Sequence, residues 1–285
     1  MIPRRIAVVC ALICGFVSLP AAVADPAPRP AAEKTLMLAT TTSVDATGLL
    51  DVLADAFKKE SGITLKWVAV GTGAALKLAQ DGNADVVIAH ARKLEDEFLR
   101  AGYGVNRRVI ARNFFMLVGP PADPAKAAGS PDVMTALERI KASGSVFVSR
   151  GDKSGTHTRE LDLWALAGGP PKTNYLETGQ GMAQTLLIAS ERRAYTLSDS
   201  ASFLSLASSV GLRPIREGSP DLENIYSVIA VDPARIPSAR YEEAMTFIAF
   251  LTSPRGQAII GSFQGKAGRS LFEPLAGQPG IDRIK

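Results

Sequence analysis

Short β-branched runs alternate with helical patterns from residue 36 to residue 101, and no other feature restricts the fold of this chain as strongly. Leu36–Thr40, Ile63–Val70 and Ala84–Ala89 read as strands, separated by helical spacing over Leu49–Lys59, Ala74–Gln80 and Lys93–Ala101. That alternation is the βαβαβ signature of a parallel sheet. Gly119-Pro120-Pro121 then punctuates the chain, and the pattern restarts. A helix is expected over Pro131–Lys141, a strand over Val146–Val148, helices over Thr156–Leu166 and Gly181–Arg192, a strand at Ala194–Leu197 and a helix over Ala201–Ser208. Tyr226–Val231 reads as a strand returning to the first sheet, with helices over Tyr241–Thr252 and Arg255–Phe263. The expectation is an α/β chain in two lobes. Residues 35–115 with 224–285 form the first, residues 116–223 the second, and the chain crosses near Asn113–Gly119 and Asp221–Tyr226.

Residues 1–24 carry Arg4 and Arg5, an apolar run from Ile6 to Pro20 and then Ala22-Val23-Ala24. This is the pattern of a cleavable secretory signal peptide, and the run is too short to anchor in a hydrocarbon core of about 30 Å. Residues 25–34 read as an extended segment rich in proline. Cys10 and Cys14 both fall inside the signal, and neither follows the small residue of a lipid-attachment site. The mature protein is expected to be a cysteine-free periplasmic monomer. Without Arg4 and Arg5 the 32 basic side chains fall to 30 against 28 acidic ones, so no nucleic-acid partner is implied. About 260 mature residues suit two lobes better than one core.

The stretch Arg150-Gly-Asp-Lys-Ser-Gly-Thr156 follows a strand with hydroxyls, glycines and an arginine and very little bulk. Two other strand exits look alike, Thr40-Thr41-Thr42-Ser43 and Gly71-Thr72-Gly73. In open α/β sheets ligands sit at the carboxyl ends of strands, where helix N-termini offer unpaired N–H groups and a partial positive charge. Anions collect there. Arg150 adds a planar fork of donors, with a surface pair to Asp152 as the alternative. Ser, Thr and Gly also serve as ordinary caps and turns; three such exits in one secreted chain favour a binding cleft.

Other chemistries fit less well. Gly71-Thr72-Gly73 lacks the third glycine of a dinucleotide fingerprint and no Walker lysine pattern occurs, so no cofactor is expected. Two histidines without mature cysteines leave no cationic metal site in prospect. A secreted hydrolase using Ser154 and His157 is the alternative from another class, although Ser154 does not stand in a G-x-S-x-G elbow. A sensor with the same fold is a third reading. Arg150-Gly151-Asp152 also matches an adhesion tripeptide, discounted by its place in the cleft. His90, after Ala84–Ala89, approaches the cleft or is a structural histidine.

The motifs A-T-T-T-S at 39–43, V-G-T-G at 70–73, A-D-V-V-I-A-H-A at 84–91, F-V-S-R-G-D-K-S-G-T-H at 147–157, G-Q-G-M at 179–182, A-Y-T-L-S-D at 194–199 and G-K-A-G-R-S-L-F at 265–272 carry a resemblance. Through the whole mature chain the sequence resembles the substrate-binding proteins of bacterial tungstate ABC transporters, a branch of the type II periplasmic binding proteins. The resemblance implies a two-lobed type II periplasmic-binding-protein fold with a ligand cleft between the lobes, binding without catalysis, and a cognate permease and ATPase as partners. It also implies that Thr41, Thr42, Ser43, Thr72, Arg150, Ser154, Gly155 and Thr156 hold the oxyanion. The crossing segment Arg112-Asn113-Phe114-Phe115 departs from the family's Asn-Asp-Phe version, and Ser200 stands where the family often has arginine. A fully deprotonated tetrahedral dianion such as tungstate or molybdate needs donors only. Sulfate shares that need, whereas protonated phosphate wants an acceptor, for which Asp152 is placed.

Overall fold

The computed structural model describes residues 34–265, 268–278 and 281. The expected signal peptide, and all but the last residue of the extended segment after it, lie outside the described residues. From the amino end, the chain forms β1 (Thr35–Thr41), α1 (Thr42–Asp45), α2 (Leu49–Ser61), β2 (Thr64–Val70), α3 (Thr72–Gln80), β3 (Val86–Ala89) and α4 (Arg92–Arg100). It continues through β4 (Gly104–Gly119), α5 (Val133–Ala142), β5 (Phe147–Ser149), α6 (Gly155–Leu166), β6 (Tyr175–Glu177), α7 (Met182–Glu191), β7 (Thr196–Asp199), α8 (Ser200–Leu206) and β8 (Arg213–Arg216). The last elements are β9 (Glu223–Val231), α9 (Tyr241–Thr252), α10 (Pro254–Ser262) and β10 (Glu273–Pro274).

β1 pairs in parallel with β2 and β3, with Thr41 opposite Val70 and Leu38 opposite Val86, so the three strands finish at one edge of the sheet. The parallel pairing read from the sequence stops there. β9 returns antiparallel beside β3, and β4 lies antiparallel beside β9. β4 is the largest departure from the sequence reading, which placed no strand between Ala101 and Gly119. It runs 16 residues, pairing with β9 along its first part and with β7 and β8 along its last. In the second lobe β5 and β6 form a parallel pair, joined to the chain entering β7 by a bridge between Phe147 and Tyr195.

Alternation along the strands sorts side chains onto two faces of each sheet. Leu36, Leu38, Val86, Ile88 and Val228 pack with Leu50, Leu53, Phe57 and Phe247 from α2 and α9. Their neighbours Ala39, Val87, Ala89, Ile229 and Val231 pack on the other face with Ala75, Ala79 and Phe98. The carboxyl half of β4 repeats the device: Phe115 and Leu117 join Phe147, Trp164 and Tyr195, whereas Met116 and Val118 join Val148 and Leu186. β4 therefore serves both lobes, and Ala201 at the start of α8 packs into the first lobe's core. Among the described residues no helix is long and apolar enough to cross a membrane.

Where β4 ends, Gly119 lies flat on the Tyr195 ring, and a methyl group added there would sit 2.4 Å from Tyr195 Cδ1. The ring has no easy retreat, because its hydroxyl donates to Asp123 Oδ1 at 2.7 Å and accepts from Ala125 N at 3.1 Å. Gly119→Ala should cost about 1–3 kcal/mol by overpacking, a fall of roughly 2–4 °C in melting temperature per kcal/mol. Thermal unfolding checks this; an unchanged transition would mean that the ring has slack.

Candidate functional site

Strand register brings the exits together. β1 hands over to α1 at Thr42, β2 to α3 through Gly71, β3 to His90, and β5 to α6 through residues 150–154. Gly71 is the N-cap of α3 and supplies no side chain to its first-turn N–H groups, which leaves them for another acceptor. A methyl group at Gly71 would lie 3.5 Å from Asp152 O and 3.9 Å from Ser154 N; one at Gly155 would lie 2.8 Å from His90 Cε1. The second-lobe loop thus rests directly on two exits of the first lobe. Gly151 and Lys153 take left-handed φ values of 62° and 58°, which curl that loop tightly enough to make the approach.

Thr41, Ser43, Thr72, Arg150, Ser154, Gly155 and Thr156 are all buried. Among the described residues, Thr72 Oγ1, Thr156 Oγ1 and Arg150 Nε have no hydrogen-bond partner, and neither does Thr40 Oγ1 one residue before the predicted set. Thr42 is the exception. It is half-buried and lines a neighbouring groove of about 540 Å³ with Gly181, Met182 and Ser202. Arg150 donates through Nη2 to Asp152 Oδ2, and Asp152 Oδ1 accepts from Ser154 N at 3.1 Å. Asp152 thus holds the guanidinium and its own loop, and both its oxygens are engaged.

Ser154 Oγ accepts from His157 N at 3.2 Å, capping α6, while His157 Nδ1 accepts from Lys153 N at 3.0 Å. The two side chains do not form a nucleophile–base pair. His90 occupies the centre that the sequence left undecided. Its Nδ1 meets Asn224 Oδ1 at 2.9 Å, its Nε2 meets Ser43 Oγ at 3.4 Å, and its ring stacks on Tyr226 with centroids 4.8 Å apart. Burial pushes its pKa below the ordinary imidazole range, against Asp199, Asn224 and Glu95, which pull it up. Beside it opens a cavity of about 560 Å³ lined by Lys93, Asp96, Arg159 and Glu223, among others. Asn224, Tyr226 and Asp199 escaped the sequence reading because His90, the side chain they surround, lies far away in the chain.

Two α/β lobes sharing long strands, with buried donors at the seam where strand exits meet, define a type II periplasmic binding protein. Residues 26–255 match the PBP superfamily domain, and the chain belongs to that superfamily. Within it, the chain is 39% identical over 282 residues to the tungstate-binding protein TupA of Peptoclostridium acidaminophilum, covering 96% of this chain and 99% of that one. Among solved structures it is similar to the tungstate ABC transporter from Geobacter sulfurreducens, with 45% identity, a TM-score of 0.75 and coverage of 81% and 99%. It is also similar to the tungstate-binding protein TupA from Desulfovibrio alaskensis G20, with 42% identity, a TM-score of 0.74 and coverage of 85% and 99%.

Behind the loop, Glu160 of α6 is buried and accepts from Tyr175 OH at 2.6 Å. Burial raises its pKa to about 7, with the Tyr175 bond pulling the other way. Between about pH 4.5 and 7 the unfolded chain has released a proton that folded Glu160 keeps, so this group makes stability fall as pH rises across that window. The full effect is roughly 3 kcal/mol. Glu160→Gln keeps the acceptor and cannot ionise. Its melting temperature relative to wild type should climb by several degrees between about pH 5 and pH 8; a constant difference would show that Glu160 does not titrate there.

Proposed function

We propose that this chain captures a fully deprotonated tetrahedral oxyanion, tungstate with molybdate as the close second, in the periplasm after signal-peptide cleavage, and delivers it to a cognate ABC permease and ATPase. One observation carries the reading. Thr72 Oγ1, Thr156 Oγ1 and Arg150 Nε are buried without partners among the described residues, around a seam where an uncapped helix start and a second-lobe loop touch. Buried donors without acceptors are costly, and an anion coated with oxygens satisfies many at once. Thr41, Ser43, Ser154 and Gly155 complete the surround, with Thr42 at its edge. Residues 35–115 with 224–285 move as one lobe against 116–223.

The relatives that bind tungstate support the ligand class. Protonated phosphate is disfavoured because Asp152, the acceptor it would need, is already bonded to Arg150 and Ser154 N. Capture without turnover fits the engagement of Ser154 as a helix cap and of His157 with Lys153 N.

Titration calorimetry with tungstate, molybdate, sulfate and phosphate at matched ionic strength tests the assignment. Arg150→Ala should weaken tungstate binding by roughly ten- to a hundred-fold, since a charge-assisted hydrogen bond is worth about 1.5–3 kcal/mol. Thr156→Val should also weaken it. Lys153→Ala, at an exposed position, should change affinity little. Equal losses at Arg150 and Lys153 would point to a diffuse basic patch, and tighter phosphate than tungstate would overturn the ligand.

A further inference from the structure

A row of hydrogen-bonding side chains runs from the first strand exit to the crossing strands. Thr41 Oγ1 lies 3.1 Å from Ser43 Oγ, Ser43 Oγ lies 3.4 Å from His90 Nε2, and His90 Nδ1 lies 2.9 Å from Asn224 Oδ1. The orientation of the Asn224 amide sets the direction of the last link. Asn224 Nδ2 donates to Asn113 Oδ1 at 2.8 Å and to Tyr226 OH at 2.9 Å, so the amide oxygen faces His90 and only accepts. His90 Nδ1 therefore carries a proton, and the state of Nε2 decides the rest of the row.

If Nε2 is bare, it takes the single proton of Ser43. Thr41 must then give its own proton to bridge the 3.1 Å contact with Ser43, and neither hydroxyl has one left for a ligand. If Nε2 is protonated, it donates to Ser43, Ser43 donates to Thr41, and the Thr41 proton is left to point at an anion. The same atoms run with opposite polarity.

Charge argues the same way. Arg150 is already paired with Asp152, and the buried carboxylate of Asp199 has Oδ1 on Ser202 N while Oδ2 has no partner among the described residues. A dianion buried beside them demands further positive charge, which the N-termini of α3 and α6 supply only in part. The titratable groups facing His90 are Asp199 from β7, Glu95 from α4, Tyr226 from β9 and Arg150 after β5. Burial opposes the imidazolium most strongly in the empty protein and Arg150 opposes it too, whereas Asp199 and Glu95 favour it. Glu95 is itself matched by Arg107 at 2.8 Å. Lys93, Asp96, Arg159 and Glu223 line the cavity alongside.

Resting on the oxyanion reading, we propose that His90 is a positioning residue that takes up a proton as the anion is captured, turning Ser43 and Thr41 into a chain of donors directed at it. Capture is thereby linked to proton uptake, and affinity rises as pH falls through the window between the imidazole's values in the empty and loaded protein. The slope approaches tenfold per pH unit inside that window.

Calorimetry of the full mature chain with tungstate near neutral pH, in two buffers of different ionisation enthalpy, reads the coupling directly. The expected result is uptake of close to one proton per tungstate in the wild type. His90→Gln should bind without that uptake and with affinity that no longer depends on pH. Ser43→Ala, which leaves the imidazole and its packing in place, should bind more weakly with reduced uptake. Equal enthalpies in both buffers for a wild type that binds tungstate would overturn the proposal and leave the oxyanion reading standing, as would full uptake retained in His90→Gln. A wild type that binds none of the oxyanions would remove both.

Discussion

β4 and β9 run side by side where the chain passes between lobes, with Asn113 opposite Asn224 and Phe114 opposite Glu223. Everything at the seam depends on that ladder. It carries Asn224 to His90, sets β3 next to β9, and sends the far half of β4 into the second sheet. Arg112 decorates it, with bonds to Glu223 at 2.8 Å and Glu273 at 2.7 Å. Half-exposed ion pairs of this kind contribute about 0–1 kcal/mol, so the backbone ladder and the buried Asn113–Asn224 bond hold the crossing.

Within the seam, hydrogen bonds outweigh bulk charge. Arg150 is the cation that the loop delivers into the protein, and its charge is partly spent on Asp152. A helix N-terminus contributes about 0.3–1 kcal/mol at an exposed site and up to about 2 when partly buried, less than one charge-assisted bond from a guanidinium. The two helix starts differ in what they leave over. Ser154 occupies one N–H of α6, whereas Gly71 occupies none of α3. A site built in this way answers to the number and direction of acceptor atoms on its ligand, which suits an anion whose oxygens all lack protons.

The strand exits were legible because their signal is local: a β-branched run ending in glycine or hydroxyl residues and followed by helical spacing. Arg150 with Asp152 was legible for the same reason, since the partners stand two residues apart. β4 was not legible, because Asn106, Arg107, Arg108, Arg112 and Asn113 interrupt its apolar pattern. It is a strand because β9 returns beside it. β6 and β8, of three and four residues, owe their existence to neighbouring strands in the same way. The row from Ser43 through His90 to Asn224 spans contacts 47 and 134 residues apart, and no spacing rule reaches that far. Short-range chemistry named the donors; long-range pairing decided which of them meet.

The surface that joins the lobes is narrow and made of small groups. Gly71 rests on the backbone of Asp152 and Ser154, Gly155 rests on the edge of His90, and Phe114 N reaches Ser200 Oγ at a long 3.5 Å. Besides these contacts, Ala201 and Leu204 of α8 pack against the first lobe's core, so an opening of the seam would trade these contacts for water. A ligand shifts such an equilibrium only by its differential affinity for the two states. On the proposed reading, donors divided between the lobes supply that difference, because Ser43 and Thr72 come from one side and Arg150 and Thr156 from the other. On that reading the small residues at 71 and 155 matter as much as the donors, because bulkier side chains there would hold the two sets apart.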